Sequence, residues 1–311
     1  MERAVPIALA LALLAACSPP AEVPPPAVVG RWDVTMQPAG GRPYASWFEV
    51  VREGDSLSGR WQPGGGHATP IVRIAATADS FSFERPPESD LAAPGIRFSG
   101  QVANEQVTGT MTELDGTVTP FTAVRTPALV RTAPPVWGEP IDLLAKGIDG
   151  WHLQDPEAKQ GWRVVDGILE NTEPGGNLVS NGTWMDFKLE LEVNVPPGGN
   201  SGIYLRGRHE VQVLDSYGKP AGSREMGGIY GQVTPTENPA KPAGEWQTFE
   251  ITLVGRRVTV SLNGVHMIHD QEIPGVTGGA MDANSGEPGP IMLQGDHGPI
   301  RFRNVRITPA M

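Results

Sequence analysis

The 311-residue chain has one cysteine, Cys17, so no internal disulfide can staple it and its stability must come from packing. It also lacks any long stretch with helical periodicity. Its 39 glycines and 31 prolines cut the sequence into short segments, which favours an all-β protein with many turns. Basic runs are missing as well. With 24 Lys and Arg against 35 Asp and Glu, the formal net charge is −11, which argues against a nucleic-acid partner. The apolar run from Val5 to Leu14 is too short to span a bilayer as a permanent helix.

That run follows Arg3 and ends Leu14-Ala15-Ala16-Cys17, which resembles a bacterial lipobox. The resemblance implies a signal peptide over residues 1–16, cleavage before Cys17, and lipidation of the Cys17 thiol and new amino group. Several acyl chains would anchor the mature protein stably, where a single chain binds only marginally. Ser18, rather than Asp, at the second mature position points to the outer membrane of a Gram-negative envelope, facing the periplasm. Residues 17–27 carry SPPAEVPPPA and form a semi-rigid, Pro-rich tether.

The remaining length predicts two domains. Over residues 28–125, short strands recur around Trp32, Trp47, Trp61, Phe81, Phe98, Val107 and Phe121, with turn residues between them. That spacing predicts a small meander barrel. No nucleophile, base and orienting group sit together there, so an accessory domain is expected, with Trp47 or Trp61 available to a sugar. His67, in a Gly-rich loop, reads as a solvated residue. Residues 126–135, with three prolines, are the linker, and few contacts should cross it.

Residues 136–311 read as strand, turn, strand to the end. Asp166-Gly167 and Asn263-Gly264 are hairpin signals between alternating segments. The alternation in the last strand slips near Asn304, which predicts a bulge. The stretch GNSGIYLRGRHEVQVLD, residues 199–215, is two short strands joined by a tight turn. Ile203, Leu205, Val211 and Val213 should face a core. Tyr204, Arg206, Glu210 and Gln212 should share the open face, which is the candidate site.

This second domain resembles the 3-keto-disaccharide hydrolase family. The matching phrases run in order: GW at 150–151, VVDGIL at 164–169, GNSGIYLRG at 199–207 and EVQVLD at 210–215. They continue with PAGEWQTFEI at 242–251, LNG at 262–264, GPIMLQGDHG at 289–298 and FRNVRI at 302–307. One departure is Gln247, where the family commonly has Asn. The resemblance implies a concanavalin-like jelly-roll β-sandwich that cleaves glycosides whose sugar carries a 3-keto group. The phrase containing Gln294 and His297 joins the open face on the same ground.

A ketone acidifies the hydrogen on the adjacent carbon. A base can remove it, the enolate can expel the glycosidic oxygen, and water can add afterwards. Such chemistry needs a base, an acid and a stabiliser of the enolate oxygen. Glu210 could be base or acid, Arg206 could hold the ketone, and His297, a residue type that exchanges protons near neutrality, could transfer one. Tyr204, Gln212, Gln294 and Tyr230 are the expected substrate-binding residues, Tyr230 by stacking on a sugar. Asp296 reads as a turn-shaping residue. A divalent metal on His209, Glu210 and His297 is an option with no firm ligand spacing. Two long loops, residues 216–244 and 274–289, should rim the face, with Lys219, Lys241 and Asp282 as solvated charges. Two alternatives stand. Glu210 and Asp215 partly match the carboxylate run of jelly-roll glucanases, though a regular strand would turn Asp215 away. A non-catalytic carbohydrate-binding lipoprotein is the other.

Overall fold

The structure is a computed structural model describing residues 25–311. The expected leader, Cys17 and most of the tether lie outside the described residues. The fold is all-β, with a nine-stranded sheet followed by sheets of eight and five strands, all paired antiparallel. Among the described residues no helix is long and apolar enough to cross a membrane.

The first sheet runs from Gly30–Met36 to Val118–Arg125, and these two strands pair with each other. Closure comes from a short piece of chain. Thr69–Pro70 pairs with Ser56–Gln62 at one edge, while Val72–Ala76 pairs with Ser80–Arg85 at the other. Only Ile71 separates them, and its N–H reaches Gly59 O at 3.0 Å. The sheet therefore meets itself as the expected meander barrel. Inward residues alternate along each strand and fill the barrel with aromatic rings. Trp61 and Phe98 lie 4.1 Å apart, and Phe83 and Phe98 lie 4.9 Å apart. Such pairs add about 1 kcal/mol beyond the area they bury. Trp61 is therefore a core residue and is not open to a sugar.

The other two sheets form the sandwich. The larger one runs Trp162–Val165, Ile168–Asn171, Ile300–Pro309, Phe187–Asn194, Trp246–Val254, Arg257–Leu262, Val265–Glu272, and its eighth strand, Ile141–Asp142, pairs with Ile300–Pro309. The smaller runs Trp151–Leu153, Leu178–Ser180, Met292–Leu293, Asn200–Leu205, His209–Leu214. Leu189, Leu191, Phe249, Ile251, Ile203, Val211 and Leu293 are buried between them. Asp166 and Gly167 have φ of 50° and 75°, and Asn263 and Gly264 have 53° and 82°. Both central residues of each turn are thus left-handed, which is why Asp-Gly and Asn-Gly stand there. The expected slip is also present. The register against Ile300–Pro309 shifts between Glu190 and Glu192, opposite Asn304 with φ 53°.

Specific contacts join the barrel and the sandwich. Phe48 points into the barrel, so its neighbour Trp47 points out, yet Trp47 is fully buried. Its indole packs with Ala45, Val276 and Ala283, and its N–H donates to Val276 O at 2.8 Å. Arg31 pairs with Glu272, Arg42 with Asp155, and Arg131 of the linker with Asp186.

Candidate functional site

Asn200–Leu205 and His209–Leu214 pair in register, Tyr204 opposite Glu210 and Gly202 opposite Gln212. Parity puts Tyr204, Glu210 and Gln212 together on the face away from the sandwich core, but that face is not open there: the three residues are buried, at 2%, 4% and 4% exposure. Directly opposed residues stand close enough for their side chains to touch. The Tyr204 hydroxyl lies 3.1 Å from Glu210 Oε2 and 2.9 Å from Gly278 O. The Glu210 carboxyl folds back over Gly202, where a Cβ would collide with Oε1. Glycine at 202 is thus what lets the carboxyl lie flat on the sheet. Val179, Met292 and Met281 pack around Tyr204 and make this part of the face apolar.

That setting decides the charge of Glu210. Burial pushes its carboxyl up to about 8, the Tyr204 hydrogen bond lowers it in part, and the charge of Asp296 raises it again. No Lys or Arg pairs with Glu210 among the described residues. Near neutral pH it is therefore a neutral acid, held in place by its partner and backbone. Tyr204 is pushed well above its ordinary value by burial and then by the Glu210 charge. The Glu210 N–H donates to Thr277 Oγ1 at 2.9 Å, so the segment carrying Thr277 and Gly278 touches both members of the pair.

The rest of the face is built around this pair. Gln294 N donates to Gly202 O at 2.9 Å, and Gln294 Oε1 is buried without a hydrogen-bond partner. Gln212 Oε1 accepts from the Val213 N–H at 3.1 Å. Tyr230 is half-buried and its N–H reaches Glu210 O at 3.0 Å. His297 Nδ1 lies against Asp296 Oδ1, both partly exposed, in the turn after Met292–Leu293. Asp296 thus does more than shape a turn, since its charge acts on both Glu210 and Tyr204. Sequence reasoning missed Thr277 and Gly278; no periodic pattern marks a loop residue that bonds a strand 67 positions away.

The pattern of the 3-keto-alpha-glucoside-1,2-lyase-like domain matches residues 139–308, more than half of the chain. The chain belongs to this family. A 3-keto-disaccharide hydrolase of Bacteroides thetaiotaomicron is 25% identical over a region that is 34% of this chain and 49% of that protein. The chain therefore spans about half the length of that curated relative. Among solved structures, a candidate glycosyl hydrolase of Parabacteroides distasonis is 28% identical, covers 58% of this chain and 94% of its own, and has a TM-score of 0.47. A carbohydrate binding module from Bacillus subtilis is 12% identical, covers 50% of this chain and 94% of its own, and has a TM-score of 0.35.

Within this 3-keto-alpha-glucoside-1,2-lyase-like domain several sequence expectations need correction. Arg206 does not reach the face that carries Tyr204 and Glu210. The strand ends at Leu205, and Arg206 opens the turn with φ 55°, which takes its side chain out of the alternation. It is buried, donating to Met185 O at 2.6 Å and Gly255 O at 2.6 Å and pairing with Asp186 at 3.3 Å. His209 faces away from Glu210, its ring Nδ1 3.1 Å from Gly275 O, and burial holds it well below its ordinary value. His209, Glu210 and His297 therefore do not form a ligand set. Among the described residues no group of three or more His, Cys, Asp or Glu is placed to hold a metal ion. Asp215 accepts from the Gly198 N–H at 2.9 Å, in the turn before Asn200. Asp282 is not a free loop charge but pairs with buried Arg208 at 2.6 Å. Gln247 is fully engaged, accepting from Lys241 N at 2.9 Å and Asn263 Nδ2 at 2.7 Å.

Proposed function

We propose that the chain is a carbohydrate-cleaving enzyme that acts on 3-keto-glycosides by elimination beside the ketone, followed by hydration. The observation that carries this reading is the neutral, buried Glu210 carboxyl held by Tyr204, with the charge of Asp296 acting on it and His297 paired to Asp296. The sugar class comes from the family and from the name of the Bacteroides relative. In this reading His297, oriented by Asp296, removes the hydrogen on the carbon next to the ketone. The electrons pass to the ketone oxygen as an enolate. The enolate then collapses, the glycosidic carbon–oxygen bond breaks, and Glu210 gives its proton to the departing oxygen. Water adds to the resulting double bond. A carboxyl that is neutral at pH 7 because it is buried is suited to this donation. Gln212, Gln294 and Tyr230 remain to hold the ketone, hydroxyls and ring.

One observation favours a second reading. A neutral Glu210 near the charge of Asp296 is also an acid and carboxylate pair of the kind that conventional glycosidases use. Purified protein offered 3-keto-disaccharides and the matching unmodified glycosides separates the readings. Cleavage of the ketosugar alone supports elimination. Cleavage of the unmodified glycoside moves the assignment to the two-carboxylate mechanism, and binding without turnover makes the chain a carbohydrate-binding module. Anchoring through lipid on Cys17, at the outer membrane facing the periplasm, completes the proposal. Cys17→Ser should release the protein from the membrane fraction or leave it unprocessed, and unchanged lipid labelling contradicts the anchor.

A further inference from the structure

The segment 274–279 is held between two surfaces. On one side it touches the pair described above: Gly278 O lies 2.9 Å from the Tyr204 hydroxyl, and Thr277 Oγ1 accepts from Glu210 N at 2.9 Å. On the other side it rests on the barrel. Trp47 donates to Val276 O at 2.8 Å, and its ring lies so close to Gly275 that a Cβ there would collide with it. Gly279 N donates to Gly64 O at 2.8 Å, and Gly278 faces Gly66 O with no room for a side chain between them. A little further along the rim, His67 packs over Gly231, next to Tyr230, while its Nε2 lies 3.1 Å from Glu88 Oε2. His67 is therefore not a free loop residue.

Trp47 points out of its own domain and is nonetheless fully buried. Ordinary barrel packing does not need a tryptophan there, since the inward residues already fill the core. The contact is specific as well as apolar, because two hydrogen bonds and two glycine approaches set its register.

We propose that the barrel is a wall of this site, with Trp47 as a positioning residue: Trp47 and residues 64–67 fix segment 274–279 where it seats the Tyr204–Glu210 pair and keeps water from it. Segment 274–279 brings no charged side chain to Glu210. The titratable groups that face it come from other elements, namely Tyr204 from the neighbouring strand and Asp296 from the turn that also carries His297, with Tyr230 beside them acting on Tyr204. A change at Trp47 or at the Gly278 approach therefore reaches Glu210 through the position of this segment and the water it excludes.

Two full-length variants test this. Trp47→Phe removes the indole N–H and keeps a ring. Gly278→Ala inserts a methyl group against Gly66 O. Phe81→Leu, in the barrel core away from the contact, is the control for general loss of barrel stability. The first readout is the titration midpoint of the Glu210 carboxyl by infrared spectroscopy, with its band identified by its loss in Glu210→Gln. The second is kcat and KM on a 3-keto-disaccharide, and it alone rests on the proposed function. Both contact variants should move the midpoint towards that of an ordinary carboxyl by about one unit as water enters. They should lower kcat about tenfold or more, with a smaller change in KM. Phe81→Leu should do neither. A shifted midpoint in a protein that cleaves no ketosugar would support the wall and remove the proposed function. Midpoints unmoved in both contact variants, or moved equally by Phe81→Leu, would overturn the inference.

Discussion

Two carboxylates of the sandwich, Asp186 and Glu210, are almost wholly withdrawn from water, and their surroundings are opposite. Asp186 lies between two guanidiniums. Arg206 pairs with it at 3.3 Å, Arg131 pairs with its other oxygen, and Gly255 N donates to it at 2.8 Å. Glu210 faces a phenol, apolar side chains and the charge of Asp296. The first arrangement keeps a buried charge and balances it. The second leaves a buried acid uncompensated, so that it keeps its proton. Burial of a polar residue alone therefore does not mark a functional site. The informative feature is burial without a counter-charge, on a face that other polar side chains share.

Glu210→Gln should show the largest separation between the two. Turnover of a ketosugar should fall by about a hundredfold to ten-thousandfold, with binding largely kept, because the amide can hydrogen-bond but cannot donate its proton. Near-normal turnover removes Glu210 from the mechanism. Asp186→Asn should instead spare the chemistry and strike the fold. It leaves Arg206, 1% exposed, without its buried counter-charge, and breaking such a pair costs about 3–5 kcal/mol. Denaturant unfolding measures this, and a loss under about 1 kcal/mol would mean that the carbonyl acceptors of Arg206 suffice without the charge.

A third contrast lies in pH. Glu210, raised from 4.5 to about 8 in the folded chain, binds more protons folded than unfolded between those values. Its favourable contribution is whole below 4.5 and is lost as pH rises through about 8. The melting temperature of the native protein should therefore drop as pH rises from 4.5 to about 8, relative to that of Glu210→Gln. Parallel curves for the two proteins would contradict a buried neutral acid. If Glu210 is the proton donor, kcat should fall as pH rises through about 8. The smallest effect belongs to Asp296→Asn. Removing that charge should lower the Glu210 midpoint by up to about one unit, because burial outranks it among the causes. A larger drop would make Asp296 the dominant influence.

Much of this was legible in the chain. Period-two alternation placed Tyr204, Glu210 and Gln212 on one face, and turn chemistry located Asp166-Gly167 and Asn263-Gly264. The same alternation failed at Arg206, because it was carried one residue past the strand. Arg206-Gly207 occupies left-handed backbone, as the two predicted turns do, and a residue there no longer obeys the two-face rule. Asp186 carried no warning either, since its partners Arg131 and Arg206 come from a linker and a turn. The barrel contact was the least legible part. Trp47 sits on the outward parity of its strand, which reads as exposed unless the surface covering it is already known. Long-range contacts of that kind leave no period in the sequence.

His209–Leu214, the strand that carries Glu210, is the last in its sheet, and an open edge there would invite pairing with another chain. Residues 226–230 close that edge with main-chain bonds, Gln212 N to Gly228 O at 2.9 Å and Tyr230 N to Glu210 O at 3.0 Å. Only this short piece of the loop is tied to the strand by backbone. The flanking parts are held by other groups: Met226 N donates to Ser216 Oγ at 3.1 Å, Gly231 N to Ser223 O at 3.0 Å and Thr236 N to Met267 O at 2.8 Å. The acid thus sits on a strand whose edge is already paired, which removes the aggregation risk that an open edge beside it would carry.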